Sequence, residues 1–443
     1  MRCTVYARWF LWALLLSSLG LHAGPPAWAA EKTVVHWWHA MRGQLEDAVE
    51  ELAQQFNASQ STYEVRPWYA GTYAETLTAA LAASQAHHPP HLVQVFEVGT
   101  QTMLLSGAVY PVYQLMQDHH IAIDWSTFIA PVLSYYSKQG RLYSMPFNAS
   151  TPILYYNQDA FGRAGLDPTR PPRTWQEVEA FSTTLLRAGA APCGFTVGWP
   201  SWTMVENMHA WHNQPFATKY NGFAGLATKL LINGAFGVKH IGQLAAWQQA
   251  HIFRYGGRER AADSTFLQGE CAMYIQSSAL IGEFMRHCPF PWGTGELPHW
   301  GAPYPKQNSL IGGATLWVMQ GHRLEEYAGV AQFLQFLARP AQQEAWHRQT
   351  GYLAISQPAL DALQTAGYFQ QVPVQWTAFG QLTRAAPTVH SRGIRLGDFV
   401  QIRDIIEAEL EAIFAGQKTA QQGLDEAVDM STAVLQAFAA RYR

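Results

Sequence analysis

The chain has 443 residues, a formal net charge of −3, 48% apolar residues and 14% charged residues. That length exceeds what one hydrophobic core supports and predicts two lobes, and the small charged share excludes long disordered tracts. There is no block of basic residues to neutralise a row of phosphates, so nucleic acid is not an expected partner.

Residues 1–30 carry Arg2 and Arg8 ahead of the apolar run "WFLWALLLSSLGL" and the small-residue run "AWAA". This order is that of a secretory signal peptide cleaved near Ala30 or Glu31. The alternative is an uncleaved anchor, but about 13 apolar residues fall short of the ~20 that cross a bilayer. Cys3 lies in this segment. Cys193, Cys271 and Cys288 remain, without zinc-site spacing. One disulfide can form among the three in an oxidising compartment, and the sequence does not choose the pair.

From Thr33, "TVVHWWH" predicts a strand. "GQLEDAVEELAQQFNAS" then places Leu45, Val49, Leu52 and Phe56 at helical spacing. "YEVRPWY", "TYAETLTAALAAS" and "HLVQVFEVG" continue as strand, helix and strand, the last apolar enough to be buried on both faces. The β-α-β-α-β order predicts a parallel sheet covered by helices on both sides. A second alternating set starts after Pro171, with Thr174 as N-cap and Glu177 completing a capping box. Two helices separated by "AGQKT" end the chain. Ligands of open α/β sheets sit beyond the carboxyl ends of strands. That rule singles out Glu97, directly after "LVQVF"; the alternative is an exposed loop carboxylate.

The run "LYYNQDAFGRAGLDPTRPPRTWQE", with "GECAMYIQSSAL" and "LEAIFAGQKTAQQGLDEAV", resembles the extracellular solute-binding proteins of ABC importers for sugars and related solutes. The joint order of "HLVQVFEVGTQTM", "PFNASTP", "VGWPSWTMVEN", "LIGGATLWVMQG", "WHRQTGYL" and "GIRLGDFVQIR" narrows the resemblance to the sn-glycerol-3-phosphate-binding proteins of Ugp-type importers. The resemblance implies an α/β fold of the two-lobed periplasmic-binding-protein type, each lobe discontinuous in sequence. Residues 31–148 and 310–352 would form one lobe, and 149–309 and 353–443 the other. The crossings would fall near Asn148, in "PYPKQNSL" and near Tyr352. It also implies a periplasmic protein, monomeric, that captures a phosphorylated polyol, sn-glycerol 3-phosphate or a glycerophosphodiester such as glycerophosphocholine, between the lobes and docks on membrane permease subunits. No cofactor, metal or catalytic residue is expected.

The site implied by the resemblance comprises Tyr73, Glu97, Ser150, Trp199, Trp202, Ser277, Gly313, Tyr352 and Arg395. Arg395 would present its guanidinium fork to phosphate; the plainer alternative is a salt bridge with Asp398. Ser150, Ser277, Tyr73 and Tyr352 supply hydroxyls, and Gly313 a backbone N–H with no side chain in the way. Glu97 would accept from the glycerol hydroxyls and repel an inverted ligand. Trp199 and Trp202 lie in a Gly- and Pro-punctuated stretch, which favours a loop platform for the C–H face of a polyol. Trp211 is expected to pack in the lobe.

Two other readings compete. One is a maltodextrin or other sugar binder, the other an extracellular carbohydrate-active enzyme, whose signature would be paired carboxylates. No such pair stands out, nor a G-x-S-x-G or H-E-x-x-H motif. "HHPPH" (His87, His88, His91) invites a metal reading, but its prolines and isolation favour a surface loop.

Overall fold

A computed structural model describes residues 31–442; the segment 1–30, expected to be a signal peptide, lies outside the described residues. Two main sheets organise it. The first runs in the order Tyr63–Tyr69, Thr33–His39, Leu92–Phe96, Gly312–Met319, Val109–Tyr110, with Met145–Ser150 also paired to Gly312–Met319. The second runs Phe253–Tyr255, Cys193–Val197, Cys271–Ser277, Pro152–Asn157, Trp292–Gly295. The first three strands pair in parallel, as their β-α-β-α-β order predicts. The returning strand Gly312–Met319 is antiparallel to its neighbours, so the sheet is mixed.

Local signals behave as their chemistry requires. The helix Gln44–Ser59 buries Val49, Leu52 and Phe56. The helix Tyr73–Gln85 opens with a full capping box, Thr72 accepting from the Glu75 amide and Glu75 from the Thr72 amide. At Thr174 only half of the expected box forms. The threonine hydroxyl accepts from the Glu177 amide at 3.1 Å, while the Glu177 carboxylate turns to the Arg173 amide at 2.7 Å.

Each strand of a two-face-buried sheet sends alternate side chains to opposite sides. The two hydrophobic cores follow this alternation rather than the division into sheets. One core takes Val93, Val95, Leu154, Tyr156 and Trp317; the other takes Leu92, Ile153, Tyr155, Leu316 and Val318. Both therefore draw on both sheets.

The chain passes from the first sheet to the second through one residue, Thr151, three positions beyond Asn148, which itself lies in the strand Met145–Ser150. The Thr151 hydroxyl is 2.6 Å from Ser309 Oγ and 2.9 Å from the Leu310 carbonyl, on the return crossing. The Ser278 amide donates to the Thr151 carbonyl at 2.9 Å. Cys193 and Cys271, opposite one another on neighbouring parallel strands, form a disulfide, and Cys288 is free. Among the described residues no helix is long and apolar enough to cross a membrane.

His87 and His88 are exposed, but His91 is buried, which corrects the surface-loop reading for this residue. It stacks on His322 with ring centroids 3.9 Å apart, and its Nε2 is 3.9 Å from Glu326. Its Nδ1 accepts the His36 amide at 3.0 Å, so the neutral ring carries its proton on Nε2 and offers no lone pair there to a metal.

Candidate functional site

A cavity of about 290 Å³ opens between the two sheets, at the ends of their strands. Ala40 and Met41 follow Thr33–His39, Glu97 follows Leu92–Phe96, Trp199 follows Cys193–Val197, and Ser277 ends Cys271–Ser277. Eight of the nine residues named from the sequence line it: Tyr73, Glu97, Ser150, Trp199, Trp202, Ser277, Gly313 and Tyr352.

Tyr73 stands at the start of its helix, stacked on Phe96 with ring centroids 5.2 Å apart. Asn148 Nδ2 donates to the Tyr73 hydroxyl at 3.0 Å, and Gln94 Nε2 donates to Asn148 Oδ1 at 2.8 Å. Burial, followed by the neighbouring Tyr352, pushes the Tyr73 phenol well above its ordinary pKa. Burial also raises the Tyr352 phenol. Both stay neutral hydrogen-bond donors. Gly313 has φ +95°, and a Cβ there would stand 1.9 Å from the Asn148 carbonyl oxygen, so only glycine fits. At Gly312 a Cβ would stand 2.3 Å from Trp202 Cζ2. The missing side chain is what lets the indole lie in the wall.

Trp199 is half-buried and holds a left-handed backbone, φ 48°, its amide donating to the Glu259 carbonyl at 2.8 Å. Such a conformation in a bulky residue is strained and persists where surroundings over-determine it. Trp202 lies in the π-helical turn Ser201–Glu206, and among the described residues its buried indole N–H has no partner. Trp211 is a core residue as expected, donating to the Leu297 carbonyl at 3.1 Å.

Arg395 does not line the cavity, which corrects its assignment to phosphate. Its guanidinium reaches the Tyr135 and Ser137 carbonyls at the end of the helix Ala130–Tyr136 and stacks on Phe223 at 4.3 Å. Cations there satisfy the unpaired carbonyls of a helix C-terminus. Asp398, the alternative partner, pairs with Arg441 instead.

A buried arginine in the cavity wall is Arg403. Its Nε donates to Glu206 Oε1 at 2.7 Å; its Nη2 donates to Glu206 Oε2 at 2.8 Å and to Glu97 Oε1 at 2.6 Å. Burial works against its charge, but Glu206 and Glu97 outweigh it and raise the pKa. Burial also raises the Glu97 carboxyl, with Arg403 opposing. A sequence signal for Arg403 exists. It falls on the stripe Phe399, Ile402, Ile406, Leu410 and Ile413 of the helix Phe399–Phe414, where a charge has to be paired. Arg42 and Arg260 also line the cavity; Arg260 is paired to Asp263 and Glu283 at 2.6 Å each.

This wall offers neutral donors, an acid–guanidinium pair and two indoles to one small molecule. Residues 51–371 match the family model of the bacterial extracellular solute-binding proteins. The sn-glycerol-3-phosphate-binding periplasmic protein UgpB of Salmonella typhimurium is 43% identical over 412 residues, 92% of this chain and 93% of that protein. The protein of the same name from Yersinia pseudotuberculosis is 42% identical over 409 residues, with the same shares. Among solved structures, UgpB from Mycobacterium tuberculosis in complex with glycerophosphocholine aligns with TM-score 0.77 at 22% identity, over 92% of this chain and 99% of that one. The cyclic alpha-maltosyl-1,6-maltose binding protein from Arthrobacter globiformis aligns with TM-score 0.74 at 20% identity, over 92% and 100%. At such identities the two structures speak for the fold alone. Matched over most of its length by the family model and at 42–43% identity by its relatives, the chain belongs to the bacterial extracellular solute-binding proteins.

Proposed function

We propose that this chain is the solute-capturing component of an ABC importer, working in the periplasm, and that its cleft takes sn-glycerol 3-phosphate or a glycerophosphodiester such as glycerophosphocholine. The observation that carries this reading is the gathering of Tyr73, Ser150, Ser277, Gly313 and Tyr352 in one cavity with the Glu97–Arg403 pair. Neutral hydroxyls and a backbone N–H receive the phosphate oxygens. The acid–guanidinium pair receives the diol, Glu97 accepting from one hydroxyl and Arg403 donating to an oxygen. Arg403, already matched by two carboxylates, does not act as a free cation for phosphate. Trp199 and Trp202 pack on the carbon chain, and the Trp202 indole N–H is a donor in want of an acceptor. The names of the relatives support the ligand class and the periplasmic location.

Residues 31–148 with 310–352, and 149–309 with 353–443, form lobes that close on the ligand about crossings such as Thr151. The closed form is what the permease receives, without chemical turnover of the ligand. Calorimetry of the mature protein against sn-glycerol 3-phosphate, glycerophosphocholine, maltose and inorganic phosphate tests this. Binding of the first two alone is expected. Binding of maltose in their place overturns the phosphate-ester reading.

A further inference from the structure

A phosphate monoester carries about two negative charges, and neutral hydroxyls with a backbone N–H balance neither of them. Three arginines line the cavity: Arg42, Arg260 and Arg403. Arg403 spends its hydrogen bonds on Glu206 and Glu97, and Arg260 is paired to Asp263 and Glu283. Arg42 is different. Its side-chain partner among the described residues is a phenol: Nε donates to the Tyr69 hydroxyl, and the guanidinium carbon stands 5.0 Å from the Tyr69 ring centroid. That leaves both Nη groups, which can grip phosphate oxygens, uncommitted. Glu259, the other carboxylate in the wall besides Glu97, also makes no ion pair among the described residues. Burial raises the Glu259 carboxyl and Arg42 opposes the rise, so the two sense each other without contact.

Local chain order puts Arg42 where a ligand is expected. It follows the strand Thr33–His39 and precedes the helix Gln44–Ser59, at the carboxyl end of a parallel strand. Gly43, with φ 55°, turns the chain into the helix, and the Arg42 carbonyl accepts the Leu45 amide at 3.2 Å. The backbone is thus held while the side chain stays exposed. Tyr69 ends the neighbouring strand, and the chain runs from it into the turn that presents Thr72 and Tyr73 to the same cavity. We propose that Arg42 is the cation that meets the ligand's phosphate, adding more to a dianionic monoester than to a monoanionic diester. The proposal rests on reading the cleft as a phosphate-ester site and names the charge that site uses. An exposed guanidinium gains little from a mobile carboxylate in water. A phosphate held in place by several neutral donors spares it that ordering cost, and the attraction grows with the ligand's charge.

The test is calorimetry at a pH of about 8, where a monoester with a second pKa near ~6 is dianionic. Wild type, Arg42→Gln and Arg42→Lys are titrated with sn-glycerol 3-phosphate and with glycerophosphocholine, at low and at high salt. Thermal unfolding verifies that the variants are folded. Arg42→Gln should bind sn-glycerol 3-phosphate about ten- to a hundredfold more weakly, the loss of one charge-assisted contact. Its loss for glycerophosphocholine should stay within about fivefold, because that ligand's phosphate carries a single charge. Arg42→Lys, which keeps the charge without the fork, should recover part of the monoester affinity. High salt should weaken monoester binding in wild type more than in Arg42→Gln. Folded Arg42→Gln that binds sn-glycerol 3-phosphate like wild type overturns the proposal and leaves the cleft reading standing. So does an equal loss for both esters without rescue by lysine, which marks a packing role. Failure of folded wild type to bind either ester overturns the cleft reading itself, and this proposal with it.

Discussion

Arg395 and Arg403 are eight residues apart, each 8% exposed, and they bury charge in opposite ways. Arg395 has carbonyl oxygens and a phenyl face for company, its Nε has no partner among the described residues, and burial draws its pKa down to about 10. Arg403 has two carboxylates, which more than reverse the same penalty. The first is a fastening between a loop and a helix end. The second is part of a polar device facing a cavity. Equal burial and shared motif context do not make two arginines equivalent; the acids around them do.

The largest effect should come from removing Arg403. Arg403→Ala leaves Glu97 and Glu206 facing each other without compensation, at a cost of about 3–5 kcal/mol in stability. Binding of sn-glycerol 3-phosphate should fall at least about a hundredfold. Urea unfolding and calorimetry measure the two losses separately. Combining Arg403→Met with Glu97→Gln and Glu206→Gln should recover stability but not binding; recovery of both would show that Arg403 is structural after all.

Acid extends the contrast to buried histidines, whose protonated form, like Arg395, would have no acid bonded to it. Burial holds His39, His91, His209 and His347 at about 4, and His212 at about 3. Between about pH 6.5 and 4 the unfolded chain binds protons that the folded one refuses. Stability therefore rises with pH across that window and is lost as pH falls, by roughly 3 kcal/mol or more. Urea midpoints at pH 7 and 4.5 check this, and equal midpoints would contradict it. The smallest effect belongs to Arg395→Ala. It should cost about 1–3 kcal/mol by stranding two carbonyls, while affinity moves less than about threefold. An affinity loss matching that of Arg403→Ala would erase the distinction.

Much of this was readable in advance. The strand-helix alternation from Thr33 to Phe96, Glu97 at a strand end and Trp199 in a Gly-Pro turn follow from periodicity and punctuation. The return of Gly312–Met319 as an antiparallel strand was not, because pairing direction at that distance is set by tertiary packing. Nor was the choice between Arg395 and Arg403. The motif around both is dense in polar and apolar residues, and only the phase of the helix from Phe399 onward turns one of them inward. The disulfide partner of Cys193 became fixed once its strand was seen beside that of Cys271.

The two cores, divided by sheet face instead of by sheet, bear on how the molecule melts. Leu154 and Val93 share one packed interior; Ile153 and Leu92 share the other. Neither sheet can shed its neighbours without opening an interior that belongs to both. The two sheets are thus joined by shared packing as well as by chain crossings. Heat should therefore take it apart as one cooperative block, with a single calorimetric peak whose van't Hoff and calorimetric enthalpies agree.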